Sequence, residues 1–145
     1  EPFDDWNAKI AAAKCRGKRS PIKTTLLDQK FVVGVGNIYA CEALHNAGIS
    51  PTKLAAKLVT KSGKPTKALE KLVEEVKIVL KKAIAAGGST LNDFADVDGN
   101  LGYFSHHFTI YGREDQPCLK AGCSGTVERI VQSNRSTFWC PRCQK

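Results

Sequence analysis

Two pairs of cysteines close the chain: Cys118 and Cys123, with four residues between them, then Cys140 and Cys143, with two. A segment this short cannot bury a core of its own, so whatever links these thiols decides its shape. Four thiolates can surround one Zn²⁺ tetrahedrally, and with sulfur in every place none stays open for an activated water. The spacing predicts one structural zinc ion on Cys118, Cys123, Cys140 and Cys143. Two disulfides are the alternative, but they suit secreted mini-proteins. No signal-like apolar segment is present, and the residues between the pairs are rich in Lys, Arg, Ser and Thr. Cys15 and Cys41 fall in helical-looking stretches and are expected as buried free thiols.

Between the pairs, Thr126 to Val131 and Ser136 to Trp139 are β-prone runs flanking Gln132-Ser133-Asn134-Arg135. They predict a hairpin closed at its base by the metal, with Arg135 at the tip. A guanidinium there suits phosphate or base-edge recognition, because its planar fork donates two parallel hydrogen bonds. A lone surface arginine is as a rule only solvated, so the rest of the chain has to decide.

Charge favours an anionic partner. Lys and Arg number 22 against 14 Asp and Glu, a net +8, and such a balance points to a polyanion. At 145 residues, 42% of them hydrophobic, the chain can form one modest core with a small appendage. No run approaches the ~20 apolar residues of a membrane span, so no membrane partner is expected. Free thiols without an export signal suggest a reducing cytoplasm.

The helical signals precede the cysteines. Residues 4 to 15 predict a helix capped by Asp4 or Asp5, with Trp6, Ile10 and Ala13 on one side. Ser20-Pro21 opens a second, as N-cap hydroxyl and proline at N1, with Lys23 in its first turn. A cation there opposes the helix dipole and suits an anionic ligand as well as it suits solvent. Gly34-Val35-Gly36-Asn37 then predicts a tight turn with Asn37 as N-cap of a helix that buries Ile38, Cys41 and Leu44 and stops at Gly48. Glycines before a helix start expose free N–H groups, the arrangement that grips a phosphate. A turn between packed helices is the competing explanation. From Thr66 to Ala86 the stripe Leu69, Leu72, Val73, Val76, Leu80, Ala83 and Ile84 predicts the longest helix. The stretch from Ser89 to Gly112 carries few core signals, and His106 and His107 are expected as polar packing residues. The fold class is thus mainly α with a small β-hairpin.

Taken together, Asp28-Gln-Lys-Phe-Val-Val-Gly-Val-Gly-Asn-Ile-Tyr-Ala-Cys-Glu-Ala-Leu44, Gly48-Ile-Ser-Pro51, Gly87-Gly-Ser-Thr-Leu-Asn-Asp-Phe94, Tyr111-Gly-Arg113 and Arg135-Ser-Thr-Phe-Trp-Cys-Pro-Arg-Cys-Gln144 resemble, in order, the C-terminal half of bacterial formamidopyrimidine-DNA glycosylases. The resemblance implies a helix–two-turn–helix domain over residues 1–103 and a four-cysteine zinc finger over 104–145. It implies an enzyme that excises oxidised purines such as 8-oxoguanine and formamidopyrimidines from double-stranded DNA and cuts the abasic strand. Asn37 and Arg135 would bind backbone phosphates, with Arg135 also assisting the elimination. Lys30 would lie near the lesion, Lys23 would face DNA, and Ser89 to Tyr103 would cover the flipped-out base. A monomer in the bacterial nucleoid is expected.

Two features depart from that family. Its first cysteine pair more commonly encloses two residues, and its chemistry resides in an N-terminal Pro-Glu-Leu-Pro-Glu segment that nothing here matches. The chain opens at Glu1 without an initiator methionine, so it is expected to be one piece of a longer protein whose N-terminal catalytic domain lies elsewhere. Alone it is expected to bind DNA without chemistry. The alternatives are a stand-alone zinc-containing nucleic-acid module with no enzymatic parent, or a protein-interaction domain using zinc for stability alone.

Overall fold

The computed structural model describes residues 5–85 and 108–145. Helices come first and the hairpin last, in the order α1 (Ala8–Cys15), α2 (Ile22–Leu27), α3 (Asn37–Ala47), a 3₁₀ turn (Ala55–Leu58), α4 (Lys67–Ala85), β1 (Glu128–Gln132) and β2 (Arg135–Trp139). The mainly α class and the hairpin agree with the sequence patterning. Ser89 to Tyr103, His106 and His107 lie outside the described residues.

The amphipathic stripe of α4 builds the core. Leu69, Leu72, Val73, Val76 and Leu80 are buried in one cluster with residues of α1, α2 and α3, and Trp6, Ile22, Leu26, Phe31 and Leu44 fill the space between. The stripe ends sooner than expected: Ile84 is 56% exposed, one turn beyond the last buried leucine. At the edge of that stripe, exposed Lys71 pairs with buried Glu75 at 3.1 Å. A second, smaller core joins Cys41, Ile110, Val127 and Phe138 to Cys118 and Cys140, and Tyr111 meets Phe138 edge-on at 4.7 Å. Helix α3 is the wall common to both cores. Ala40, Ala43 and Leu44 face one and Cys41 the other.

Several helix starts differ from expectation because another group satisfies the end. Helix α1 begins after Asn7, whose Oδ1 accepts from Ile10 N at 2.9 Å, so Asn7 takes the capping place expected of Asp4 or Asp5. Its buried face is Ala11, Ala12 and Cys15, while Ile10 and Ala13 are exposed. Pro21, not Ser20, is the cap residue of α2. The main chain of Ser20 is instead engaged by Ala55 N, and Ile22 N donates to Lys53 O. Helix α3 is capped by Gly36, with Asn37 as its first residue and Ile38 only half-buried. It ends as expected at Gly48, whose φ of 74° is the left-handed conformation that glycine supplies. Cys15 and Cys41 are buried free thiols.

The hairpin is tighter than expected. Gln132 pairs directly with Arg135, leaving Ser133 and Asn134 as a two-residue turn with φ of 50° and 66°. Positive φ at both central positions is the twist that matches right-handed strands. Arg135 therefore starts β2 beside the tip and does not form the tip itself.

Candidate metal centre and nucleic-acid interface

The four cysteine sulfurs all lie within 4.8 Å of one another. Cys118 and Cys143 approach to 3.8 Å and Cys123 and Cys140 to 3.7 Å. Tetrahedral zinc with bonds of ~2.3 Å requires sulfurs ~3.8 Å apart, and all four cysteines are free thiols, so the cluster fits one zinc ion. Gly125 passes close beneath it: a Cβ there would meet Cys140 Sγ at 2.6 Å and Arg142 Cβ at 2.8 Å. Its amide donates to Cys123 Sγ at 3.4 Å. Burial pushes the Cys140 thiol up, but the amides of Cys143 and Arg142 and the neighbouring thiols outweigh it and bring the pKa down to about 7. Amides aimed at sulfur favour the thiolate that a metal needs.

This centre is bonded directly to α3. Glu42, 5% exposed, receives four hydrogen bonds: Thr109 N (2.7 Å) and Oγ1 (3.0 Å) on one carboxylate oxygen, Ile110 N and Tyr111 N (2.9 Å each) on the other. His45 Nε2 lies 3.4 Å from Cys118 Sγ and Nδ1 3.1 Å from Thr109 Oγ1. Lys120 Nζ donates to His45 O, and buried Gln144 accepts from Cys140 N while donating to Ile49 O. A buried carboxylate is tolerated only when satisfied this completely.

The far end of the same helix gathers the cations. Asn37 Nδ2 donates to Ser136 O at 2.9 Å, and Asn37 Oδ1 accepts from Lys23 Nζ. Lys23 is fully buried, so a solvated lysine is excluded. Burial lowers its pKa, the Cys41 thiol raises it, and the charge of Arg135 on β2 lowers it again. Among the described hydrogen bonds its ammonium has Asn37 as its one acceptor, and no carboxylate partner is among them. Arg135 is exposed, and Arg129 Nε donates to Ser136 Oγ at 2.9 Å. No side chain caps α3, and none of the described hydrogen bonds engages its first amides, so Lys23, Asn37 and Arg135 surround a helix N-terminus that attracts an anion.

Lys30 is placed differently. Exposed in the turn after α2, it donates its amide to Asp28 Oδ1 and accepts Lys14 Nζ at its carbonyl. With Trp6, Ile10, Lys14 and Phe31 it lines a groove of about 340 Å³. No described hydrogen bond joins it to Lys23, Asn37 or Arg135. Glu42, His45 and Gln144 were not singled out by spacing.

Residues 1–95 match the formamidopyrimidine-DNA glycosylase H2TH domain, and residues 115–145 match a zinc finger found in FPG and IleRS. The chain is 51% identical over 146 residues to the formamidopyrimidine-DNA glycosylase of Rhodopseudomonas palustris strain BisB18, covering 100% of this chain and 50% of that protein. With that of Sinorhizobium fredii it shares 55% over 139 residues, 96% of this chain and 47% of the relative. It thus spans about half the length of these curated relatives. Among solved structures, Lactococcus lactis Fpg bound to abasic-site DNA matches with a TM-score of 0.80 at 31% identity, covering 100% of this chain and 50% of that one. MutM bound to DNA containing carbocyclic 8-oxo-G matches with a TM-score of 0.79 at 31% identity, covering 99% and 49%.

Proposed function

The chain belongs to the formamidopyrimidine-DNA glycosylase family, and we propose that it is the DNA-gripping half of a base-excision-repair enzyme. The parent is a bifunctional glycosylase and lyase that removes oxidised purines and cuts the abasic strand. One observation carries this: Lys23, Asn37 and Arg135, from three separate elements, meet at the start of α3, which no side chain caps. A buried ammonium with a single neutral acceptor lacks a counterion, and a DNA phosphate supplies one.

Each group has a distinct task in this reading. The amides take one phosphate with the charge of the buried Lys23 ammonium behind them, Arg135 clasps the adjoining backbone, and Asn37 ties helix to hairpin so that the two act together. Zinc, when bound, holds the hairpin at a fixed angle to α3 and supplies no chemistry. A backbone pinned at two points can be bent so that the damaged nucleotide turns out of the stack. Lys30 stands near that nucleotide. Residues 1–103 form the helical unit and 104–145 the finger. The chemistry belongs to the N-terminal half of the parent, which acts as a monomer in the nucleoid.

The test is binding of this half to duplex DNA carrying 8-oxoguanine or an abasic analogue, measured across salt concentrations, together with borohydride trapping. Salt-dependent binding without a trapped adduct is expected. Salt-independent binding would overturn the DNA reading, and a covalent adduct would place the nucleophile in this half.

A further inference from the structure

Beyond the four sulfurs, one side chain from the helical unit reaches the metal centre. His45 is 2% exposed, and its ring spans from Cys118 Sγ at 3.4 Å to Thr109 Oγ1 at 3.1 Å. A cysteine on zinc is a thiolate and has no proton to give. Any hydrogen shared across the Nε2–Sγ contact therefore belongs to histidine. In the neutral ring this leaves the Nδ1 lone pair to be filled, and the Thr109 hydroxyl is within reach to fill it.

Thr109 is held for that task. Its amide donates to Glu42 at 2.7 Å, and the next two amides hold the other carboxylate oxygen at 2.9 Å. Its hydroxyl donates to Glu42 Oε1 at 3.0 Å and lies 3.1 Å from His45 Nδ1; when Nε2 faces a thiolate, that one proton can turn to the ring, and the amides of Thr109, Ile110 and Tyr111 still satisfy Glu42. Glu42 and His45 stand three residues apart on one face of α3. The helix presents the ring to the sulfur, and the thiolate there selects Nε2 as the nitrogen that carries the proton.

We propose that His45 is an outer-sphere hydrogen-bond donor to the zinc thiolate of Cys118, its other nitrogen filled by the Thr109 hydroxyl, so that metal retention depends on α3. An N–H directed at a thiolate draws off charge and slows its protonation and loss. Outer partners of metal ligands set affinity by ~10–100-fold. His45 is a positioning residue, and this role is independent of whether the chain grips DNA.

The test compares His45→Phe, which fills the space without a donor, with His45→Gln, whose amide nitrogen reaches about as far as Nε2. In the zinc-loaded protein, transfer of zinc to a chromogenic chelator should be ~10–100-fold faster for His45→Phe and closer to the parent rate for His45→Gln. In cobalt-substituted protein the sulfur-to-cobalt charge-transfer band should move to lower energy in His45→Phe and be largely restored in His45→Gln. Equal release rates and an unshifted band in His45→Phe would overturn the proposal. If His45→Phe does not fold in excess zinc, Thr109→Val decides. It keeps the ring but removes the hydroxyl, and faster release with a shifted band is expected, whereas no change overturns the proposal.

Discussion

Asn37 and Ser136 are 99 residues apart in sequence, yet the Asn37 side-chain amide donates to the Ser136 carbonyl at 2.9 Å. The start of α3 and the start of β2 are thereby one unit, and Lys23 joins it through the other end of the same amide. An asparagine suits this place because it donates and accepts at once; neither aspartate nor alanine does both.

That sharing makes Asn37 and Lys23 energetically coupled. Asn37→Ala leaves a buried ammonium without its acceptor and should cost about 1–3 kcal/mol. Lys23→Met removes the charge but keeps an unbranched stem in the core. The double variant should be less destabilised than the two single effects summed, by at least about 0.5 kcal/mol. Urea denaturation of all four proteins measures this, and additive effects would remove the coupling.

Arg135 separates binding from stability. It is exposed at the first residue of β2, so Arg135→Ala should leave the melting temperature unchanged. DNA affinity should fall, and the slope of log K against log salt should lessen by about 0.9 if the guanidinium neutralises one phosphate. An unchanged slope would show that the guanidinium meets solvent alone.

Zinc removal should unfold the molecule in parts. Trp6 sits in the helical core, whereas Trp139 ends the hairpin strand next to Cys140. Chelation, or Cys140→Ser, should therefore abolish the fluorescence signature of Trp139 and spare that of Trp6, with most far-UV helix signal retained. Because α3 serves both cores, the surviving helices should melt at a lower temperature. Single-tryptophan variants read the two regions separately, and simultaneous disappearance of both signals would contradict the division into two cores.

What the sequence made legible was local. The stripe of α4 and the cysteine spacing repeat within a few turns or residues, and both are present in the structure. The N-cap residues were missed because a cap competes with every other partner of the same side chain. Asn37 has the chemistry of an N-cap, but Ser136 and Lys23 claim both ends of its amide, and Gly36 takes the cap position. The Glu42–Thr109 and His45–Cys118 contacts join residues 67 and 73 positions apart, and no periodicity encodes a pairing at that range. Burial of Lys23 was illegible for the same reason, since lysine is rarely enclosed and only the assembled helices show that this one is.

Gly34 and Gly36 look alike in sequence but should respond differently to alanine. Gly34 has a φ of 93°, which strains any side chain, so Gly34→Ala should destabilise the fold. Gly36 has φ −90° and ψ 175°, which any residue adopts, and a Cβ there meets nothing within 4 Å. Folding gives only a weak reason for glycine at 36, its preference over alanine at an N-cap, which the stiffer unfolded chain of the alanine variant offsets, so Gly36→Ala should be close to neutral. A phosphate seated on the amides of α3 does give a reason, because the added methyl would stand between it and the helix start. Gly36→Ala should therefore lose DNA affinity while melting close to the parent protein. Parallel melting and DNA titration check this, and undiminished affinity would move the anion site away from α3.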